Sequence, residues 1–330
     1  MNKQKLKTLR EKIPSDRIGL LIALIVMIAV FSFFNKHFFS YKNMINILIA
    51  ASLTGLVAVG ETYLVIAGLV DLSAGSVAAF GSVLAAVVLS STGNVFVTVV
   101  IVVLAGILIG IFNAVTVNSL KLEPFIATLA SMSIVRGLAY IICNGKPVFI
   151  TNNSFLKLGS QRIFGIPVPV IILIISFIIF GIILSKTRFG RSIYVVGGNK
   201  EAARLAGLNP KRITLILYMV NGALAALGGA LLAARMNSGQ PAASVGLEFD
   251  AITAAVLGGT AFSGGVGTIF GTVLGVFILQ GFNTGLIMLN VPTFWQYVAR
   301  GLLLLIALTF DFLRKRRRDK KILESSMANS

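Results

Sequence analysis

The chain has 330 residues, of which 56% are hydrophobic and only 12% are charged, and its mean hydropathy is +0.93. Soluble domains carry about 25% charged residues, so this composition excludes a soluble globular protein and indicates a polytopic membrane protein. The formal net charge of +18 would suggest a nucleic-acid partner in a soluble protein. Here the distribution of the positive charge points to a membrane surface instead.

Twenty of the 29 Lys and Arg residues fall in three blocks, at residues 1–17, 186–212 and 314–321. Such clusters beside apolar segments are typical of cytoplasmic loops, where they meet anionic lipid headgroups. The run RKRRR at residues 314–318 is an alternative candidate for a nucleic-acid patch, but the adjoining apolar segment argues against it. We therefore expect membrane lipid, and no nucleic acid, among the partners.

Several kinds of chemistry are excluded by the residues that the chain lacks. Cys143 is the only cysteine and His37 the only histidine, so neither an internal disulfide nor a His/Cys metal cluster can form. No G-x-x-x-x-G-K-[ST] motif is present to hold the phosphates of a nucleotide. No Ser/His/Asp set can be built around His37, which lies in a predicted outer loop. We predict that the chain is not an enzyme and has no catalytic, metal or cofactor site of its own.

The hydropathy pattern predicts an all-α fold of ten transmembrane helices, because a crossing needs about 20 mostly apolar residues. The apolar run at 18–34 lacks a small-residue cleavage site after it, so we expect it to remain as the first span. The predicted spans are 18–35, 44–68, 75–92, 95–117, 124–144, 166–185, 213–235, 248–261, 265–287 and 295–312.

An even number of spans places both termini on one side, and their basic charge predicts that this side is the cytoplasm. The basic loop after the sixth span is then also cytoplasmic, which agrees with its charge. The predicted organisation is a basic N-terminal segment at 1–17, one transmembrane domain at 18–312 that includes the loop at 186–212, and a basic tail at 313–330.

Two Gly/Ser-rich breaks, at 68–76 and 258–267, interrupt apolar segments and suggest that the chain consists of duplicated halves. Residues 68–84 and 258–274 share seven identities when they are aligned 190 residues apart. Transporters often contain duplicated halves with interrupted helices near the substrate route. The alternative is that Gly, Val and Leu are common here and that the matches reflect composition. Small residues spaced four apart, as in Gly106/Gly110 and Gly222/Ala226, predict close helix packing.

A short helix is predicted inside the basic loop, from Lys200 to Ala206. Asn199 is a good N-cap, and Glu201 lies in the first turn, where the helix dipole favours an acid. Gly207 suits the left-handed position after the helix, and Pro210 prevents its continuation. A helix of two turns is marginal in water, so we expect it to dock on a partner.

Polar residues at membrane depth are the candidates for a translocation path, since ionisable groups in lipid are costly and usually face a partner or water. Structural ion pairs and helix–helix contacts are the alternative roles, and Glu61 and Arg300 are ionisable residues at the same depth. Trp295 and Tyr297 are expected to be interfacial anchors. The predicted path residues are Asp71, Ser73, Asn113, Arg136, Asn221, Asp250, Thr260, Gln280 and Asn283.

Four motifs stand in order along the chain: GLVDLSAGSV (68–77), EPFIATLASMSIVRGL (123–138), GRSIYVVGGNKEAARLAGL (190–208) and FDAITAAVLGGTAFSGGVGTIFGTVLG (249–275). Through these motifs the sequence from about residue 40 to 312 resembles the permease subunits of ATP-binding-cassette importers for simple sugars, of the ribose/galactose/xylose type. The departures from the family pattern are small: Leu69 replaces a usual Gly, Ala130 a frequent Gly and Val266 a frequent Arg.

The resemblance implies the permease fold of such importers, a homodimer or heterodimer of permeases, and a location in the bacterial cell (inner) membrane. It also implies that separate cytoplasmic ATPase subunits use ATP and Mg, and that an extracytoplasmic solute-binding protein delivers a ribose-like pentose or a hexose. The family motif places the ATPase contact at Gly198, Asn199, Glu201, Ala202, Ala203, Leu205 and Gly207.

Two alternatives to this function stay open. An ATP-independent secondary transporter or facilitator of small polar solutes would not need a cytoplasmic docking helix. A related permease for a nucleoside or a furanone signal would look much the same in sequence.

Overall fold

The computed structural model describes residues 15–328, which form thirteen helices and four two-residue strands. The first seven helices are α1 (Ser15–Phe34), α2 (Tyr41–Ile66), α3 (Ala74–Thr92), α4 (Val95–Asn118), α5 (Pro124–Ile142), α6 (Asn153–Ser160) and α7 (Val168–Lys186). The others are α8 (Arg188–Gly198), α9 (Lys200–Leu205), α10 (Pro210–Met236), α11 (Leu247–Leu257), α12 (Ile269–Met288) and α13 (Thr293–Ala328). The strands are β1 (Val148–Phe149), β2 (Arg162–Ile163), β3 (Ile166–Pro167) and β4 (Ser238–Gly239), paired antiparallel as β1–β4 and β2–β3.

Eight of these helices are long and apolar enough to cross a membrane: α2, α3, α4, α5, α7, α10, α12 and the segment Thr293–Leu313 of α13. The all-α, polytopic character of the prediction is therefore confirmed. The first predicted span corresponds to α1, whose apolar stretch Ile18–Phe34 is slightly shorter. Residues 1–14 of the predicted N-terminal segment lie outside the described residues.

The predicted span at 248–261 is wrong as a continuous helix. Helix α11 has only 11 residues, or about 16 Å of length, which is too short to cross a bilayer. It ends because Gly259 adopts a left-handed conformation with φ of 90°, and the amide of Thr260 then bonds to the Ala255 carbonyl. Irregular backbone from Gly258 to Thr268 connects α11 to α12.

The same helix-ending motif occurs at the other Gly-rich break. Gly68 has φ of 72°, and the amide of Leu69 bonds to the Leu64 carbonyl, as Thr260 bonds to Ala255. The two motifs lie 191 residues apart, one residue away from the spacing of the sequence alignment. The duplication of the halves stays a prediction.

Long-range contacts define two ends of the helix bundle. At the strand end, β1 pairs with β4, and Asn35 and Asn152 donate to the carbonyls of Met288 and Gly93. Helices α8 and α9 lie at the opposite end, which we call the coupling end. There Asn118 donates to the Lys211 carbonyl, and Gly265 donates to that of Ile66. The contacts at each end join segments that are far apart in the sequence.

Helix α10 is the centre of the core and packs closely on its neighbours through small residues. A Cβ atom added to Gly106 of α4 would overlap the carbonyl of Gly222, and one added to Gly110 would overlap that of Tyr218. Likewise, a Cβ on Gly229 of α10 would overlap the carbonyl of Ala78 in α3. The close helix packing predicted from the four-residue spacing of small residues is therefore confirmed.

Candidate functional site

The basic loop at 186–212 contains two helices at the coupling end. The sequence predicted the second of them but not α8, which begins where the Thr187 hydroxyl accepts a hydrogen bond from the Gly190 amide at 3.0 Å. Thr187 was the feature of the sequence that could have predicted the start of α8, because threonine is a favoured N-cap residue. Helix α8 buries Ile193 and Val196, so one face of this basic loop belongs to the core.

The short helix α9 has the predicted caps. The side chain of Asn199 accepts hydrogen bonds from the amides of Glu201 and Ala202, both at 2.9 Å. Gly207 adopts φ of 81°, and the amide of Leu208 closes the turn on the Ala203 carbonyl. The helix ends at Leu205, one residue before the predicted end.

Most of the predicted contact residues for an ATPase are open at the surface. Leu205 is 82% exposed, whereas Ala203 is completely buried against the neighbouring helices. Helix α9 thus docks on its own chain through Ala203 and leaves an apolar side chain outward. The remaining predicted contact residues, all exposed, are Gly198, Asn199, Glu201, Ala202 and Gly207.

The C-terminal half of α8 contacts both broken membrane segments. A Cβ atom added to Gly197 would overlap the carbonyl of Ile66, which itself accepts a hydrogen bond from the Gly265 amide at 2.8 Å. The Tyr194 hydroxyl donates to the Gly267 carbonyl at 2.8 Å, and burial raises the pKa of this hydroxyl. At Gly197 no side chain separates these backbones.

Two buried carboxylates lie in the membrane part, joined by one amide. The Nδ2 of Asn221 donates to Glu61 Oε1 and to Asp71 Oδ2, each at 3.0 Å. Glu61 and Asn221 are completely buried and Asp71 is 1% exposed. Within the described residues, no Lys or Arg forms an ion pair with either carboxylate. A Cβ atom on Gly60 would overlap Asn221, so glycine at this position makes room for the amide.

Ser73 and Asn113 complete this buried polar cluster around Asp71. The Ser73 amide and hydroxyl both donate to Asp71 Oδ1, and Asn113 Nδ2 lies 2.9 Å from the Ser73 hydroxyl. Four of the predicted path residues therefore bond to one another, with Glu61 as an additional member. The structure brings them together in an enclosed cluster, and a role in the path stays a prediction. The sequence could have indicated that Glu61 belongs to this cluster, because an ionisable residue in an apolar helix usually faces a polar partner.

Three other predicted path residues are buried apart from this cluster. Gln280 donates to the Thr54 hydroxyl at 2.8 Å, which joins α12 to α2. Thr260 and Asn283 are also buried, at 0% and 5% exposure.

The last two predicted path residues, Arg136 and Asp250, are partly buried. Arg136 donates to the carbonyls of Pro241 and Ala243, at 2.8 and 2.7 Å, and so holds the segment that precedes α11. Asp250 Oδ2 lies 3.8 Å from an Arg300 guanidinium nitrogen. Tyr297, an expected anchor, lines the same groove as Asp250 and Arg300.

The fold and these sites define a polytopic helical membrane protein with a two-helix element exposed at one end. The chain belongs to the family described as "Branched-chain amino acid transport system / permease component", which matches residues 43–308. It is therefore a transport permease.

Individual relatives in this family carry names from sugar transport. The chain is 40% identical over 308 residues to the L-arabinose ABC transporter permease protein AraH of Azospirillum brasilense, covering 93% of this chain and 91% of the relative. It is 41% identical over 296 residues to the L-arabinose transport system permease protein AraH of Escherichia coli (strain K12), covering 90% of both. It is 37% identical over 317 residues to the ribose import permease protein RbsC of Bacillus subtilis (strain 168), covering 94% and 98%. No solved structure matches the chain.

Proposed function

We propose that the chain is the membrane-spanning permease subunit of an ATP-driven importer and that its solute is a simple sugar, with a pentose as the first candidate. Relatives named for L-arabinose and for ribose cover at least 90% of the chain, and both sugars are pentoses. The coupling end lies in the cytoplasm, because it holds the basic block at 186–212.

The observation that carries this proposal is the exposed, capped helix α9 on a junction with the membrane segments. A separate ATPase subunit binds α9, with Leu205 as an apolar contact and Glu201 as a charged one. ATP binding closes the ATPase pair and displaces α9 and α8. Through Gly197 this displacement reaches the ends of α2 and the 258–268 segment, which switches the bundle between inward-facing and outward-facing states.

The other partners act outside this element. A second permease subunit completes the translocation path, and an extracytoplasmic solute-binding protein delivers the sugar at the strand end. ATP and Mg are bound by the ATPase subunit, since the chain lacks a phosphate-binding loop.

Co-purification of the cognate ATPase subunit tests the contact. Leu205→Asp places a charge at the 82% exposed apolar contact, and Glu201→Lys reverses the charge of the first turn. We expect each variant to reduce the bound ATPase at least about tenfold, because a lost anchor at the centre of an interface costs ~1.4 kcal/mol or more. The control is Arg162→Glu, a charge reversal at an exposed position of the strand end, which leaves ATPase binding unchanged.

Uptake into proteoliposomes tests the function itself. Vesicles that hold the complete importer with ATP inside, and binding protein outside, are supplied with labelled D-ribose or L-arabinose. We expect uptake to stop when ATP is left out. We also expect both α9 variants to abolish uptake. Equal uptake without ATP would instead identify a facilitator, and normal ATP-driven uptake by both variants would refute the role of α9.

A further inference from the structure

An open groove lies between α11 and α13. It has a volume of about 300 Å³ and is lined by Phe249, Asp250, Thr253, Tyr297 and Arg300. This volume is at the lower end of the range of small-molecule sites, which is ~300–1,000 Å³. Its lining combines aromatic rings with an acid and a guanidinium group.

The packing of α11 on α12 places this groove at the middle of the membrane. A Cβ atom on Gly275 would overlap Ala254, and one on Gly258 would overlap Gly271, so the two helices run antiparallel. Continuing this register by one turn sets Asp250 beside the tenth or eleventh residue of α12, about 15 Å from its start. Since a bilayer core is about 30 Å thick, Asp250 lies near its midplane.

Charged groups at this depth cannot face lipid without a large cost, so the groove faces water or protein. The side chains of Arg300 and Asp250 are 32% and 14% exposed, and the guanidinium nitrogen lies 3.8 Å from the carboxylate oxygen, which is long for an ion pair. The Nε of Arg300 is buried and has no hydrogen-bond partner within residues 15–328. The pair therefore has hydrogen-bonding capacity that the described part of the chain does not use.

We propose that the groove is the point at which the translocated solute contacts the permease, as a binding site for a polyhydroxylated sugar. The Asp250 carboxylate accepts hydrogen bonds from sugar hydroxyls, and the Arg300 guanidinium donates to hydroxyl and ring oxygens. Phe249 and Tyr297 cover the apolar C–H face of the ring. The short α11, which begins inside the membrane, is the type of interrupted helix that forms such sites.

The buried cluster of Glu61, Asp71 and Asn221 is the competing location, and its geometry disfavours it. These side chains are at most 1% exposed and bond to one another, whereas the groove is open. This inference rests on the proposed function, because it names the contact that an imported sugar makes.

A comparison of two sugars by the complete importer tests the site. With the same binding protein and ATPase, uptake of D-ribose is measured against uptake of 2-deoxy-D-ribose. A carboxylate that bonds to a hydroxyl distinguishes these sugars, so Asp250→Asn should lower their uptake ratio at least about threefold. Arg300→Lys should reduce the ribose uptake rate at least about tenfold, because lysine lacks the planar fork of donors. Leu108→Ala, on the exposed apolar face of α4, is the control and keeps both values.

A labelling experiment keeps the proposal testable when a groove variant is unstable. The lone buried Cys143 is first replaced by serine, and Gly301→Cys then adds a thiol in the groove, where an added Cβ meets no atom within 4 Å. A charged, membrane-impermeant thiol reagent should label Gly301→Cys in the assembled importer, and ribose in turnover should slow this labelling at least about threefold. Leu108→Cys should stay unlabelled in lipid.

The outcomes separate this inference from the proposed function. If the wild-type importer does not bind its ATPase or shows no ATP-driven uptake, the proposed function fails. If it imports ribose normally, while the Asp250 and Arg300 variants keep the wild-type rate and ratio and Gly301→Cys is not protected, then the groove is not the contact site.

Discussion

Replacement of Asn221 by alanine removes the amide that joins the two buried carboxylates. The Nδ2 of Asn221 donates to Glu61 and to Asp71 at 3.0 Å each, and all three side chains are at most 1% exposed. After the substitution, both carboxylate oxygens lose this donor at a place that water does not reach. The bond connects α10 to α2 and to the loop that precedes α3, so the loss loosens the centre of the fold.

The expected cost follows from the burial of the two acceptors. A buried acceptor that loses its hydrogen bond costs ~1–3 kcal/mol, so two acceptors give ~2–6 kcal/mol. Hydrogen bonds inside membrane proteins average only ~0.6 kcal/mol when the unfolded chain finds other partners, which would give about 1 kcal/mol. We therefore expect a loss of about 3 kcal/mol, or roughly a hundredfold in the unfolding equilibrium.

Unfolding of the purified chain in mixed micelles by increasing denaturing detergent measures this loss. The control is Asn118→Ala, whose side chain donates a bond of 2.9 Å to the Lys211 carbonyl at an exposed position. That substitution should change the free energy of unfolding by no more than about 0.5 kcal/mol. If Asn221→Ala costs no more than Asn118→Ala, the buried cluster does not stabilise the fold, and the reasoning from its geometry is refuted.

Two further predictions concern the core. Glu61→Gln keeps an acceptor for Asn221 and replaces the carboxyl group beside Asp71 by a neutral amide, so it should leave the free energy of unfolding equal or higher. A loss above about 1 kcal/mol in the same titration would contradict this. Gly106→Leu forces α4 away from α10, because an added Cβ already overlaps the Gly222 carbonyl. It should prevent recovery of folded protein by size-exclusion chromatography, whereas Gly19→Leu, at an open position of α1, should be recovered normally; equal recovery of both would show that the close packing is dispensable.

Local features of the chain were predictable because they depend on residues that are near one another in sequence. The caps of α9 at Asn199 and Gly207 follow from hydrogen bonds over two to five residues. The apolar runs predicted the membrane helices to within a few residues, since length and hydropathy alone decide whether a helix suits a bilayer. Even there, α11 is an exception, because the left-handed turn at Gly259 ends it before it can cross.

The tertiary structure determines which residues form each site. Glu61 and Asn221 are 160 positions apart, and Asp250 and Arg300 meet only because α11 packs against α13. Polar residues at membrane depth look alike in sequence, whether they end in an enclosed cluster with Asn221 or in an open groove with Arg300. The difference is which helix faces each side chain, and that depends on close backbone contacts such as those of Gly106. Hydropathy identifies the helices, but only their packing determines which polar groups meet and which stay open to a solute.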